Sequence, residues 1–361
     1  MMRAAILTSG GDAPGMNSAI RAATLVARAL GVEMLGVRRG YEGLMEGAFI
    51  PLGAEEVGSL QGRGGTVLGS ARSAAFRERA GRDQARAALA QANIEGLIVI
   101  GGNGSLTGLT RLLDPAERGG QALRGLGIPA SIDNDIGLTR LALGVDTAIN
   151  TIVDACDKLA DTAGSHGRAF ILEVMGRDCG YLAMAAAVSA GAHAVLYPED
   201  GKSRSDLAEA VLRAVRKADA RVDSRRHAII LKAEGVSVSL EELRNDVEAK
   251  IREEKLRMDL RVTVLGHVVR GGRPSALDRQ IGNRLGNAAV RGLLEGKTDM
   301  MTAWGPASLP SGVGEISKDP RVAYVPLADA LEETRKMLSG TSDFVRWRKE
   351  VLRNLEDVMS S

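Results

Sequence analysis

Asp133 and Asp135 stand two residues apart in the run Ile128-Pro129-Ala130-Ser131-Ile132-Asp133-Asn134-Asp135-Ile136-Gly137-Leu138-Thr139-Arg140. Carboxylates at i and i+2 on an extended or turning segment can divide the work of a phosphoryl transfer. One accepts a hydroxyl proton and the other holds a magnesium ion. An isolated Asp-Asn-Asp is more often a solvated turn, because both residue types are turn formers. Its surroundings decide between the two readings.

Two glycine clusters favour the chemical one. Thr8-Ser9-Gly10-Gly11-Asp12-Ala13-Pro14-Gly15-Met16-Asn17 follows the apolar stretch 4–7 and precedes a helical pattern. Gly101-Gly102-Asn103-Gly104-Ser105 follows the apolar stretch 96–100 and precedes a second helical pattern over 106–113. Strand, glycine turn and helix N-terminus together present backbone N–H groups and a helix dipole to a phosphate. Neither cluster is a Walker A loop or a G-x-G-x-x-G fingerprint. A third run, Gly62-Arg63-Gly64-Gly65-Thr66-Val67-Leu68-Gly69-Ser70-Ala71-Arg72, followed by Arg77, reads as a mobile loop whose arginines clamp a polyphosphate. Arg168, Arg177, Arg261, His267 and Arg270 fall near predicted strand ends, the edge where open α/β sheets bind ligands, so the substrate is expected to be anionic.

The elements that position these residues alternate along the chain. Stretches 4–7, 96–100, 170–175, 227–231 and 262–265 are short, apolar and without alternation, as strands buried on both faces of a parallel sheet are. Met16, Ile20, Ala23, Ala27 and Leu30 repeat at helical spacing, and Ser203-x-x-Asp206 is a capping box before another such repeat. Long helices are predicted over 144–163 and from Gly271-Gly272 through Leu294, and the tail 327–361 is helical with a break at Gly340 and Thr341. The class is α/β, with doubly wound sheets.

Composition limits the partners. The 361 residues allow two domains. A net charge of +2 gives no argument for nucleic acid or a membrane surface, and 3% aromatic content removes the stacking platforms of single-strand binders. The N-terminus shows no basic-apolar leader, and no apolar run approaches the roughly 20 residues of a membrane span. Two cysteines, Cys156 and Cys179, suit a reducing cytoplasm.

Taken together, LTSGGDAPGMN (7–17), GRGGTVLGSAR (62–72), IGGNGSLTG (100–108), SIDND (131–135), GVDTAIN (144–150), EVMGRDCGYLA (173–183) and RVTVLGHVVRGG (261–272) resemble the phosphofructokinase family, its ATP-dependent branch. The resemblance implies two similar doubly wound sheets with helices on both faces and an active site in the cleft between them. It assigns 1–144 plus about 269–320 to ATP and 145–268 plus about 321–361 to fructose 6-phosphate. It implies a cytoplasmic, glycolytic phosphotransferase that moves the ATP γ-phosphoryl group to the 1-hydroxyl of fructose 6-phosphate with Mg2+. Asp133 is then the base, Ser131 and Asp135 its partners at the transferring group, and Arg177, Gly11 and Arg72 assist. Gly11, Tyr41, Arg72, Arg77, Gly102, Asn103, Gly104 and Ser105 match the ATP site, with Asn103 and Asp135 at the metal. Ser131, Asp133, Asp135, Met175, Gly176, Arg177, Glu234, His267 and Arg270 match the sugar-phosphate site. Arg168 and Arg261 match residues that reach in from a neighbouring subunit of a homotetramer.

Gly104 and Ala130 stand where pyrophosphate-dependent members typically carry aspartate and lysine, which favours ATP. Asn103 departs from the pattern by replacing a metal-linked aspartate, and outer partners of a metal are worth roughly 10–100-fold. The alternatives are a catalytically weak or regulatory paralogue, or a variant using pyrophosphate or sedoheptulose 7-phosphate. Arg21 matches the effector pocket of bacterial relatives, but Leu25, Ala54, Ala160 and His193 replace charged residues expected there, so weak or absent regulation by ADP and phosphoenolpyruvate is predicted.

Overall fold

The computed structural model describes residues 1–120, 122–221, 226–305 and 312–359. Apolar runs become strands and amphipathic stretches become helices. The first part of the chain forms β1 (Arg3–Ser9), α1 (Met16–Ala29), β2 (Glu33–Val37), α2 (Gly40–Met45), β3 (Phe49–Pro51), α3 (Ala54–Gly58), α4 (Arg79–Gln91), β4 (Gly96–Gly101), α5 (Asn103–Leu113), α6 (Pro115–Arg118) and β5 (Arg124–Pro129). Next come α7 (Val145–His166), β6 (Arg168–Val174), α8 (Tyr181–Ala190), β7 (Ala194–Leu196), α9 (Arg204–Asp219), β8 (Ala228–Ala233), α10 (Leu240–Glu253) and β9 (Asp259–Val264). The chain ends with α11 (Ala276–Leu294), β10 (Met300–Trp304), β11 (Glu315–Ile316), β12 (Val322–Pro326), α12 (Leu327–Leu338) and α13 (Asp343–Met359).

These elements make two compact units. The first, Met1–Thr147 with Arg270–Lys336, holds a sheet of order β11-β12-β10-β5-β4-β1-β2-β3. Its middle, β10-β5-β4-β1-β2, is parallel, while β3 and β12 pair antiparallel at the two sides. Every residue of β4 is buried, as expected for a strand covered on both faces. The Met16, Ala19, Ile20, Ala23 and Ala27 stripe of α1 is also buried, and α1 packs on α11. After β1 the chain adds β2 and β3 on one side, then β4 and β5 on the other. That reversal makes the carboxyl ends of β1 and β4 a topological switch point.

The second unit, Ala148–Val269 with Met337–Ser361, holds a parallel sheet of order β7-β8-β6-β9. Ile171, Leu196, Val211, Ile230, Leu243 and Val247 belong to its core. Reciprocal capping boxes, Ser203 with Asp206 and Ser239 with Glu242, start α9 and α10.

Several boundaries differ from the sequence reading. Helix α5 begins at Asn103 rather than Leu106, because Gly102 is extended and its carbonyl takes the first helical bonds from Ser105 and Leu106, both at 3.0 Å. Strand β9 begins at Asp259, opposite Arg168, so Arg261 lies inside it rather than opening it. The chain returns to the second unit after Lys336, not near 320, because β12 pairs with β10 in the first unit's sheet, Met300 opposite Pro326. Among the described residues, no helix is long and apolar enough to cross a membrane.

Candidate active site

Adjacent parallel strands β1, β4 and β5 end at one edge of the first unit, so three loops meet there: Gly10-Gly11-Asp12, Gly102 with the first turn of α5, and Ala130 through Asp135. Gly11 sits against a guanidinium. A Cβ built on it would lie 2.8 Å from Arg270 Nη1, which donates to Asp12 O at 3.2 Å. The N–H groups of Asn103 and Gly104 precede the first intrahelical bonds of α5 and are orphan donors of that end. A Cβ on Gly104 would meet nothing within 4 Å.

The glycine-rich run 62–72 is tied down, contrary to the mobile loop expected. Buried Asn17 donates to Arg63 O and Gly64 O, each at 3.1 Å, and accepts from Val67 N at 2.8 Å. Thr8 Oγ1 donates to Gly69 O at 2.8 Å, and Ser70 Oγ to Gly10 O at 2.6 Å. The loop is therefore held on the first β–α turn, with Arg72 exposed at its end. Arg77, also exposed, closes a 3-10 turn whose carbonyls take Nη1 of buried Arg82; the same guanidinium forks onto Glu117 at 2.8 and 2.7 Å. Tyr41 is buried rather than open to a ligand. Its ring stacks on Phe76 at 3.9 Å and its hydroxyl donates to Ser105 O at 2.6 Å, so it props the first turn of α5. Burial pushes its phenol well above the usual value.

Ser131, Asp133 and Asp135 are half-buried in the loop after β5. Ser131 Oγ donates to Asp135 Oδ1 at 2.6 Å. Asn134 between the carboxylates is fully buried and left-handed, φ 50°; it donates to Arg140 O at 3.1 Å and accepts from Ala142 N at 3.0 Å. This staple folds the loop back on itself and leaves the two carboxylates on either side of a fixed point. Below it, the buried Asp278 carboxylate accepts from Gly144 N at 2.9 Å and from Thr147 N at 2.8 Å, joining the starts of α7 and α11. Burial pushes Asp278 up to about 6, against the lowering effect of those hydrogen bonds.

In the second unit, β8, β6 and β9 are neighbours, and their carboxyl ends carry Glu234, Met175-Gly176-Arg177 and Gly266-His267 respectively. Hydrogen bonds continue past the sheet: Glu234 N to Val174 O at 2.9 Å, Gly235 N to Gly176 O at 3.2 Å and Leu265 N to Glu173 O at 3.0 Å. Lys232, 1% exposed, lies beneath them and donates to Glu173 Oε2 at 2.7 Å. Gly176 has φ 128°, a backbone favouring glycine, and a Cβ there would lie 2.6 Å from Cys179 O. Arg177, Glu234 and His267 are exposed and Met175 is buried.

Arg168 and Arg261 lie elsewhere. They flank Asp259, whose Oδ2 is 3.7 Å from Arg168 Nε and 2.5 Å from Arg261 Nη2, toward the amino end of β6 and β9. The seven residues of β6, at about 3.3 Å each, put Arg168 roughly 20 Å from the carboxyl end that leads to Arg177, and Arg261, opposite Phe170, about 13 Å from it. Of the effector-pocket residues, His193 is pushed down to about 4, first by burial and then by positive neighbours beginning with His227. Its Nδ1 accepts from Ile229 N at 3.1 Å.

Sequence reasoning missed Asn17, Arg82, Asn134, Lys232 and Asp278. A usable signal existed for Asn134, since Asn in a turn tolerates the left-handed region. The others each rely on at least one partner more than thirty residues away in sequence, which a local window does not contain.

Comparison with known proteins follows the same lines. The family model described as phosphofructokinase matches residues 3–293. An ATP-dependent 6-phosphofructokinase from Thermotoga neapolitana is 44% identical over 303 residues, 84% of this chain and 90% of that protein. ATP-dependent 6-phosphofructokinase 1 of Thermus thermophilus is 41% identical over 335 residues, 93% of this chain and 95% of the relative. The structure of phosphofructokinase from Saccharomyces cerevisiae superposes with a TM-score of 0.78 at 31% identity, covering 100% of this chain and 48% of that one. This chain thus spans about half the length of the yeast chain.

Proposed function

We propose which residues carry the reaction of a chain that belongs to the phosphofructokinase family. The reaction is ATP-dependent phosphorylation of fructose 6-phosphate at its 1-hydroxyl, giving fructose 1,6-bisphosphate and ADP, a step of glycolysis. The observation that carries the assignment is the meeting of Gly11, the start of α5 and the Ser131–Asp135 loop at the switch point of one sheet.

ATP phosphates lie along Gly11 and the amides of Gly102, Asn103 and Gly104, with Arg72 and Arg77 as cations. Tyr41 and Ser105 act by fixing the turn of α5. Open space at Gly104 leaves room for the nucleotide. Asp133 takes the proton of the 1-hydroxyl as its oxygen forms a bond to the γ-phosphorus, while the bond to the β-γ bridging oxygen breaks and ADP leaves. Backbone amides and arginines neutralise charge already present on the transferring group, and positioning supplies most of the rest. Mg2+ fits the donor set: the Asp135 carboxylate, Ser131 hydroxyl and Asn103 amide oxygen are all hard oxygens. When bound, the ion offsets phosphate charge. Arg177, Met175, Gly176, Glu234, His267 and Arg270 hold fructose 6-phosphate.

Arg168 and Arg261 serve the sugar-phosphate site of a neighbouring copy, since about 20 Å and about 13 Å of strand separate them from the carboxyl end of their own sheet that leads to Arg177. β9 is an edge strand exposing Val264 and, just beyond it, Val268, which supports a homo-oligomer, a tetramer in our reading. The two buried cysteines, Cys156 and Cys179, fit a cytoplasmic setting. His193, half-buried and neutral at pH 7, cannot replace an effector-binding carboxylate, which supports weak response to ADP or phosphoenolpyruvate.

The test is turnover of purified protein with fructose 6-phosphate and magnesium, given ATP or pyrophosphate, beside Asp133→Ala and Asn103→Asp. Turnover with ATP is expected, with a loss of about 100- to 10,000-fold in Asp133→Ala. No turnover with ATP, or full activity of Asp133→Ala, overturns the assignment. Steady-state kinetics in which Arg168→Ala raises the fructose 6-phosphate KM, with sedimentation showing the oligomer intact, test the shared site.

A further inference from the structure

Helix α13 buries a stripe at helical spacing, Val345, Arg348 and Leu352. The middle member is an arginine only 7% exposed. An aliphatic residue would fill that place without desolvating a charge. The guanidinium has specific surroundings: its Cζ lies 4.2 Å from the Tyr181 ring on one side and 4.2 Å from the Phe344 ring on another. Its Nη1 is 3.9 Å from Cys179 Sγ. Cys179 and Tyr181 flank Gly180, where the loop that leaves β6 through Met175, Gly176 and Arg177 turns into α8.

The next residue of α13 holds the same turn from its other side. Lys349 Nζ donates to Glu199 O at 2.6 Å, and the Glu199 carboxylate accepts from Gly180 N at 2.9 and 3.1 Å. The loop's first half is fixed by sheet-edge hydrogen bonds, Gly235 N to Gly176 O among them. Its second half, Cys179 to Tyr181, is fixed by α13 directly through Arg348 and through Glu199. Only a planar guanidinium can lie against two rings and still direct an N–H at a third group, so lysine is a poor replacement.

We propose that Arg348 is a positioning residue for sugar-phosphate binding, and that the C-terminal helix thereby sets affinity for that substrate without touching it. This rests on the reading that the 175–177 loop binds fructose 6-phosphate. Displacing a positioning element on the order of 1 Å can cost up to roughly 100-fold.

Steady-state kinetics on the full-length Arg348→Met, Arg348→Lys, Arg177→Ala and Glu350→Ala variants test it. Glu350 is exposed on the same helix and serves as control. Arg348→Met is expected to raise the fructose 6-phosphate KM about tenfold, with kcat and the ATP KM within about twofold of wild type and Arg348→Lys intermediate. Glu350→Ala should match wild type. A folded Arg348→Met with an unchanged fructose 6-phosphate KM overturns the proposal, as does a parallel loss in kcat and both KM values. If Arg348→Met does not fold, Arg348→Lys decides by the same criteria. Where Arg177→Ala raises the sugar-phosphate KM and the Arg348 variants do not, the positioning role alone fails. Where Arg177→Ala has no effect, the loop assignment fails and takes the proposal with it.

Discussion

Asn134→Ala is the most informative single change, because a neutral residue is asked to hold the two carboxylates proposed to carry the reaction. The Asn134 side chain is fully buried, with its amide spanning Arg140 O and Ala142 N. Truncation strands the Ala142 amide, which sits in a residue with no exposure, at about 1–3 kcal/mol. Arg140 is exposed, so its carbonyl regains water and costs less. Alanine at φ 50° adds about 1 kcal/mol of left-handed strain. The sum, roughly 2–5 kcal/mol, is a large part of the about 5–15 kcal/mol that holds a typical protein together. Urea unfolding should show that loss, with kcat down roughly 10- to 100-fold as the flanking Asp133 and Asp135 lose their fixed point. Asn134→Gly separates the causes: it relieves strain but restores no hydrogen bond, so it should be about 1 kcal/mol more stable than the alanine variant and equally slow. An alanine variant within about 0.5 kcal/mol of wild type, or one with full kcat, would refute the reasoning.

Asp278 gives a pH signature. Its folded pKa, about 6, exceeds the unfolded value of about 3.9, so the folded state binds the proton more tightly. Its contribution is complete below about pH 4 and is lost as pH rises to about 6, a span of roughly 3 kcal/mol. Urea midpoints across pH 4–6 should fall less steeply in Asp278→Asn than in wild type; parallel slopes would sink the idea. Gly104→Asp places a carboxylate in the space assigned to the nucleotide, yet an acidic residue in the first turn of α5 suits the helix dipole. The ATP KM should rise at least about tenfold with Tm unchanged, and a normal ATP KM would contradict the nucleotide assignment. Leu97→Ala, in the fully buried β4, should cost about 2–5 kcal/mol by chemical denaturation with no selective effect on either KM.

The local geometry of the candidate site was legible because it depends on neighbouring residues. Glycine turns after apolar runs, the Asp133/Asp135 spacing and the Ser203 capping box each depend on a few consecutive residues, and each keeps its form in the fold. Boundaries were less legible where pairing decides them. Strand β9 starts early because Asp259 and Leu260 find partners in Arg168 and Ala169, and no pattern within 259–261 announces that. Resemblance places Tyr41 at the ligand, whereas in the fold its ring stacks on Phe76 and its hydroxyl bonds Ser105 O, contacts no local pattern announces.

By itself, the order of residues determined the alternation of strands and helices, the two glycine turns and the acidic pair, since burial periodicity and turn chemistry act over one to four residues. Tertiary structure decided what those pieces amount to. It made β1, β4 and β5 neighbours, so that three separate loops share one edge. It placed Arg270 against Gly11 across more than two hundred residues of chain and set Arg168 and Arg261 about Asp259, away from the carboxyl ends of β6 and β9. It also brought the C-terminal helix onto the loop bearing Arg177. Such contacts follow from which apolar faces can be buried together and which polar groups must then be paired, and that is settled over the whole chain rather than within any stretch of it.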